Sequence, residues 1–223
     1  MTERKPVVLF GSGRFARTIH YFLTHDSPFE VVATTVDGEF IGSDEAFGLP
    51  IVPFERIDER YPPDSFDMFI ALGYRQMNHL REQRYATARE LGYTLVTHVS
   101  PRASTWPDLV IGDNCLILDQ VMVHPYVSIG SDTIIWSGAH IGHNSTVGDH
   151  CFIASRAAVS GNVRIGHHSF LGTNCTVRDG LTVAPENAIG AGVVLSKDTE
   201  PGQVVAPPVA RILPGTSDRL PRL

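Results

Sequence analysis

Six of the ten histidines in this 223-residue chain fall in one stretch: His124, His140, His143, His150, His167 and His168. Imidazole is the side chain whose ordinary pKa lets it take up or release a proton near neutral pH, and its neutral form binds transition metals. His150 and His168 are 18 residues apart. In the repeat described below that places them in identical phase, stacked at about the 4.8 Å strand spacing. Two imidazoles so close either disfavour double protonation or hold a metal between them. His124 and His143 share a face one coil apart, at unequal phases. A second group of residues points to anion binding. Val7-Val-Leu-Phe10 leads into Gly11-Ser-Gly-Arg-Phe-Ala16, and a strand at 31–36 ends in Asp37. Glycines there permit a tight turn, helix amides then point at a phosphate, and the acidic residue is placed to meet a sugar hydroxyl. Ala16 stands where the full fingerprint has its third glycine.

The histidines must be held by the stretch from Ile111 to Leu195. Stepping in sixes from Ile111 reaches Ile117, Val123, Ile129, Ile135, Ile141 and so on to Leu195, with Ile, Val or Leu at all fifteen positions. Two residues earlier the chain is mostly small, as at Cys115, Thr133, Ala139, Ser145, Cys151, Ala157, Ser169 and Cys175. Glycine often follows directly. No helix has a six-residue period, and a strand alternates every two. A parallel β-helix has it: each hexad is a short strand and a turn, the branched residue fills the interior, and three hexads close one coil. The three cysteines share the small, buried phase and read as core fillers.

Ahead of the coils the pattern is α/β. A helix follows the first glycine turn to Leu23, an edge element lies at 49–54, and Asp67 to Leu72 forms a buried strand. Gly73-Tyr74 sits at its carboxyl end, where open α/β sheets bind ligands. A helix is expected from Met77 to Leu91, stopped by Gly92, and a last strand at 95–99. This makes half of a doubly wound domain. The division is 1–106 for a Rossmann-like domain, 107–198 for the coils and 199–223 for a tail whose prolines exclude a helix or central strand.

Net charge is −6 with scattered basic residues, which argues against nucleic acid or an anionic membrane as partner. No apolar run approaches the roughly 18 residues of a membrane span, and the polar start reads as no signal peptide, so a cytoplasmic setting is expected.

The segment from Gly142-His143-Asn144-Ser145 through Ser160-Gly161-Asn162 to Phe170-Leu171-Gly172-Thr173-Asn174, joined to a small α/β domain, resembles the bacterial nucleotide-sugar N-acetyltransferases. These are hexapeptide-repeat enzymes with left-handed β-helices, and include the UDP-4-amino-sugar and GDP-perosamine acetyltransferases. The likeness covers essentially the whole chain. It implies the left-handed coil, against the usual right-handed crossover, and a homotrimer with clefts between neighbouring coils. It implies acetyl-CoA as co-substrate, a nucleotide-linked amino sugar as acceptor, a role in surface polysaccharide or glycan synthesis, and no metal. His143 matches the proposed general base, beside Asn144, and the Gly161 amide matches the group that meets the thioester carbonyl. Thr173 and Ala191 match positions along the CoA arm; Phe152 and Arg211 fall at or near further CoA-contacting positions. Gly11, Gly13, Arg14, Asp37 and Gly73 match the nucleotide-sugar side.

The chain departs from that family at Asn144, where Glu or Asp usually follows the histidine. An amide can orient the ring but cannot stabilise imidazolium by charge. Phe152 replaces a histidine, and the tail reads Ala206-Pro-Pro-Val-Ala-Arg211, displacing the phosphate-contacting base. Three other readings compete. A sugar O-acetyltransferase of the sialic-acid type would use the same His143. A non-catalytic nucleotide-sugar-binding protein would explain Asn144. A γ-type carbonic anhydrase would use the histidines but has no role for the N-terminal domain.

Overall fold

A computed structural model describes residues 6–210. Its N-terminal sheet comprises β1 (Pro6–Phe10), β2 (Glu30–Val36), β3 (Glu45–Ala46), β4 (Leu49–Pro53) and β5 (Asp67–Ile70), in the order β3-β4-β2-β1-β5. All neighbours pair in parallel except β3, an antiparallel edge. Both faces are covered, as an uninterrupted apolar strand such as Val7-Val-Leu-Phe10 requires. Val7 and Leu9 point to α1 (Arg14–Asp26), which buries Ala16, Ile19 and Leu23. Val8 and Phe10 point the other way, to α2 (Ile57–Arg60) and α3 (His79–Glu90). The α3 helix starts later than the expected Met77 because Gln76, Met77 and Asn78 are left-handed, with φ of 52, 49 and 71°.

The hexads build a three-walled prism in which each strand pairs with the one 18 residues on, as Ile111 with Ile129. Wall 1 has five strands, from Val110–Ile111 to Thr182–Val183. Wall 2 has seven, from His98–Val99 to Val204–Val205, and wall 3 has five, from Met122–Val123 to Val194–Leu195. The fifteen-step row lies in one apolar cluster down the axis. Burial pushes the thiols of Cys115 and Cys151, inside this core, up to about 12. Left-handed turns recur once per hexad, mostly at non-glycine corners such as Asn114, Asp132, Asn144, His150 and Asn162, and otherwise at Gly138, Gly180 and Gly192. Asn and Asp tolerate that conformation best.

Stacking begins ahead of residue 107. Leu95 bridges Met68 in the N-terminal sheet, and His98–Val99 already pairs with Leu116–Ile117 of wall 2. The last expected strand of the α/β domain is thus shared between two sheets, with no free linker. In the tail, Val204–Val205 pairs with Ala188–Ile189 and ends wall 2 as its terminal strand.

The α/β domain rests on wall 2. There the outward residues are large and apolar: Leu116, Ile134, Phe152 and Phe170 meet Val7, Leu9, Leu23, Phe69 and Val96. Each fully buried side chain of this size contributes about 1.5–3 kcal/mol. A polar clamp completes the seam. Arg81 of α3, fully buried, donates to Asp132 Oδ1 at 3.0 Å, to the carbonyls of Asp132 and Cys151 at 2.8 and 3.1 Å, and to Asn78 Oδ1 at 2.9 Å. Asn114 donates to the same carboxylate at 2.6 Å and accepts from the Ile70 N–H at 2.8 Å.

Candidate active site

The corner between walls 3 and 1 carries His143, Gly161 and Asp179, each one coil after the last. His143 is exposed and follows the strand His140–Ile141; the next residue, Asn144, turns the corner at φ 55°. Asn144 Nδ2 lies 2.9 Å from His143 Nδ1. In that orientation the amide donates to Nδ1 and the ring hydrogen sits on Nε2. A half-turn of the amide presents Oδ1 instead, which fixes the hydrogen on Nδ1 and leaves Nε2 free to take a proton. Asn144 can support both states, whereas a carboxylate supports only the second.

Gly161 is buried beneath the ring. A methyl group there would meet His143 Cε1 at 2.6 Å and Nε2 at 2.7 Å, with Asp179 Oδ1 at 3.0 Å. The glycine is therefore required by the close approach of the imidazole. Its carbonyl accepts from the Gly180 N–H at 3.0 Å, while its own N–H has no partner among the described residues. An unpaired backbone donor beside an imidazole is the pair of groups that acyl transfer needs: one to accept a proton, one to meet a developing oxyanion. Asp179 is exposed and shares this phase two coils on; the 18-residue register could have flagged it, and the sequence reading passed over it.

Thr173 and Ala191 lie at a different corner, between walls 2 and 3, one coil apart and both exposed. A methyl on Gly172 would meet the Ala191 amide nitrogen at 2.5 Å, so the two coils are in close contact there. Within one chain, wall 3 separates this pair from His143. Phe152 is apart from both. It is 4% exposed on wall 2, within an aromatic cluster of Phe15, Trp136, Phe170 and Tyr74, so its ring serves the domain seam. Arg211 lies outside the described residues. The ring of His124 meets His140 at 4.7 Å and not His143.

On the α/β side, Gly11 has a φ of 130°, and a methyl there would meet Ala16 Cβ at 2.9 Å and the Ala71 carbonyl at 3.0 Å. Gly13 caps α1 with open space around it, and Arg14 is the first, exposed residue of the helix. No side chain caps α1, which leaves its first amides facing outward. Gly73 follows β5, where an added methyl would meet Phe15 Cδ2 at 3.9 Å, and Tyr74, 54% exposed, stands next to it. These residues converge on the carboxyl ends of β1 and β5. Asp37 is already engaged: Arg84 of α3 donates to its Oδ2 from Nη2 at 2.8 Å and from Nε at 3.2 Å. A sugar hydroxyl would meet an ion pair there rather than a lone carboxylate.

His150 and His168 lie one coil apart with ring centroids 4.8 Å apart, at the spacing their phase implies, and with their planes tilted by 34°. Both face α3. His168 Nε2 lies 3.1 Å from Glu82 Oε2, and His150 Nδ1 lies 2.8 Å from Asp132 Oδ2.

Comparison with known proteins agrees with this architecture. The bacterial transferase hexapeptide family (six repeats) matches residues 108–143, 126–161 and 144–179, and the hexapeptide repeat of succinyl-transferase matches 162–197. No curated protein matches the chain by sequence. Among solved structures, the acetyltransferase domain of PglB from Neisseria gonorrhoeae FA1090 is 23% identical, covering 90% of this chain and 96% of that one, with a TM-score of 0.80. PerB from Caulobacter crescentus, in complex with CoA and GDP-perosamine, is 25% identical over 90% of this chain and 91% of its own, with a TM-score of 0.78. WeeI from Acinetobacter baumannii AYE is 21% identical, over 94% and 100%, with a TM-score of 0.76. The coils are thus hexapeptide repeats of the bacterial transferase type, wound as a left-handed β-helix, and with the α/β domain the chain shares the fold of the PglB acetyltransferase domain and of PerB.

Proposed function

We propose that this chain is an acyl-CoA-dependent N-acyltransferase, with acetyl as the acyl group, acting on the amine of a nucleotide-linked amino sugar. The observation that carries this reading is the His143 ring lying on Gly161, whose N–H is unpaired, in a chain with the architecture of a protein crystallised with CoA and GDP-perosamine. An ammonium has no lone pair, so His143 Nε2 first accepts a proton from the sugar nitrogen. That nitrogen then attacks the thioester carbonyl carbon. The Gly161 N–H faces the oxygen that becomes negative. As the carbonyl re-forms, the C–S bond breaks, the proton held by His143 passes to the departing sulfur, and the second proton of the acylated nitrogen is released to solvent, leaving a neutral amide. Asn144 holds the ring throughout. Thr173 and Ala191 border the CoA arm, and Arg211 is assigned to its phosphate end. Gly11, Gly13, Arg14 and Gly73 receive the nucleotide sugar, with Asp37 acting through its pair with Arg84.

A homotrimer suits the separation of the two corners, since a neighbouring copy would set its Thr173–Ala191 corner against His143. Wall 3 offers exposed Met122 and Val194 on its outer row. The product would serve surface polysaccharide or glycan synthesis in the cytoplasm. The test is thiol release from acetyl-CoA against a panel of UDP-, GDP- and dTDP-linked amino sugars. Turnover with one of them, lost in His143→Ala with the assembly intact, supports the assignment. Silence across the panel in a protein that still binds both ligands refutes it.

A further inference from the structure

A second cluster of histidines lies outside this site, on the seam between the domains. The corner between walls 1 and 2 carries Asp132, His150, His168 and Glu186 at successive 18-residue steps, and α3 lies along it. His79 and Glu82, three apart on α3, project from one helix face toward this ladder. Glu82 is the hub. Its Oε2 is 3.1 Å from both His79 Nδ1 and His168 Nε2, and its Oε1 is 3.7 Å from His150 Nε2. The His79, Glu82 and His168 ligand atoms all lie within 4.8 Å of one another.

We infer that this cluster is a divalent transition-metal site, suited to Zn2+, with His79, Glu82 and His168 as ligands and His150 beside them, 3.7 Å from the other Glu82 oxygen, as the adjoining fourth group, clasping the α/β domain to the coils. A four-coordinate ion with bonds of about 2.0–2.1 Å sets its ligand atoms about 3.3 Å apart. The two contacts to Glu82 Oε2, 3.1 Å each, lie close to that value, while His150 Nε2 is 3.7 Å from the other carboxylate oxygen. The outer partners are also those of a metal-binding histidine, whose second ring nitrogen is held by another group. Asp132 Oδ2 holds His150 Nδ1 at 2.8 Å, and His167 Nδ1 lies 2.8 Å from His168 Nδ1. The rings stack, His79 on His168 at 4.2 Å, so charging them all by protonation would set like charges face to face. One shared cation satisfies the converging nitrogens without that cost. An ion has a path in: His168 and His150 are 6% and 13% exposed at the side chain, but His79 and Glu82 are 40% and 38% exposed.

The test uses the full chain, stripped with a chelator and titrated with Zn2+ by calorimetry, with Co2+ absorption as a second probe. The expected result is about one ion per chain, four-coordinate Co2+ bands, and a melting midpoint raised by Zn2+. His79→Asn, on the exposed helix face, should weaken binding at least about 100-fold while melting normally in chelator, and His167→Asn should weaken it about 10-fold. His124→Asn, at the separate pair with His140, should change nothing. No uptake, uptake unaffected by His79→Asn, or uptake abolished by His124→Asn would each overturn the assignment. None of these readouts depends on acyl transfer.

Discussion

Gly161→Ala separates catalytic geometry from stability. The added methyl would sit 2.6 Å from His143 Cε1, and ordinary contact begins at 3.4 Å, so the ring must move by about 0.8 Å (3.4 − 2.6). The clashing atoms are the ends of the His143 and Asp179 side chains, both exposed, so they can yield. Gly161 does not occupy the left-handed region, so alanine fits its backbone. The loss of chain freedom in the unfolded state then offsets part of the strain, by about 0.4–1 kcal/mol. A displacement near 1 Å at a reacting group costs about 100-fold, or roughly 2.7 kcal/mol at 1.36 per factor of ten. We therefore expect kcat/KM for acetyl transfer to fall about 100-fold with the unfolding midpoint nearly unchanged. Gly142→Ala is the contrast. Its methyl would strike backbone, Ser160 C at 2.4 Å and Gly161 N at 2.6 Å, so it should destabilise the coil by at least about 1–3 kcal/mol. The assay is thiol release alongside urea unfolding on both variants. If Gly161→Ala keeps activity within a few-fold, the reasoning about the His143–Gly161 contact fails.

Asn144→Asp keeps the left-handed corner and replaces the two-way amide with an acceptor only. It should raise the basicity of His143 and move the acid limb of the kcat/KM profile to higher pH; an unmoved limb would show that the neighbour does not tune the ring. Arg81→Leu removes one half of a buried pair and leaves Asp132 held only by Asn114 and His150, so urea unfolding should register a loss of about 3 kcal/mol. A loss below about 1 kcal/mol would mean that the clamp is solvated. Burial lowers the pKa of His98, His168, His140 and His20 from 6.5, against the pull of Asp26 on His98 and Glu82 on His168. With the folded values below the unfolded one, their stabilising share is full above pH 6.5 and declines as pH falls through the folded values. In metal-free buffer the melting midpoint should therefore drop between about pH 7.5 and 5.5, and a flat or rising midpoint would contradict the assignment.

The coils were legible because one chemical requirement, a branched residue in a narrow interior, repeats at fifteen positions. Phase also placed His150 over His168. Phase does not, however, say what lies outside a wall. Leu116, Ile134, Phe152 and Phe170 precede inward residues on every third hexad, and this apolar row marks the wall that the α/β domain covers. Followed alone, the inward row conceals it: resemblance sets Phe152 at a CoA-contacting position, and the aromatic rings that surround it in the fold are not visible from that row. Asp37 reads correctly as the end of β2, yet its partner Arg84 arrives from a helix 47 residues later. The left-handed run at 76–78 that aims α3 at the coil carries no glycine to announce it.

The 18-residue register also makes the coil a ruler with coarse graduations. Loss of a single hexad would turn everything beyond it by one wall, carrying Phe152 off the seam or His143 off its corner. Loss of a whole coil would keep each residue on its own face and shorten the distance from the α/β domain by about one strand spacing, 4.8 Å. Variation in this architecture is therefore quantised. The height of the histidine corner relative to the α/β domain docked on wall 2 can change only in whole coils, eighteen residues at a time.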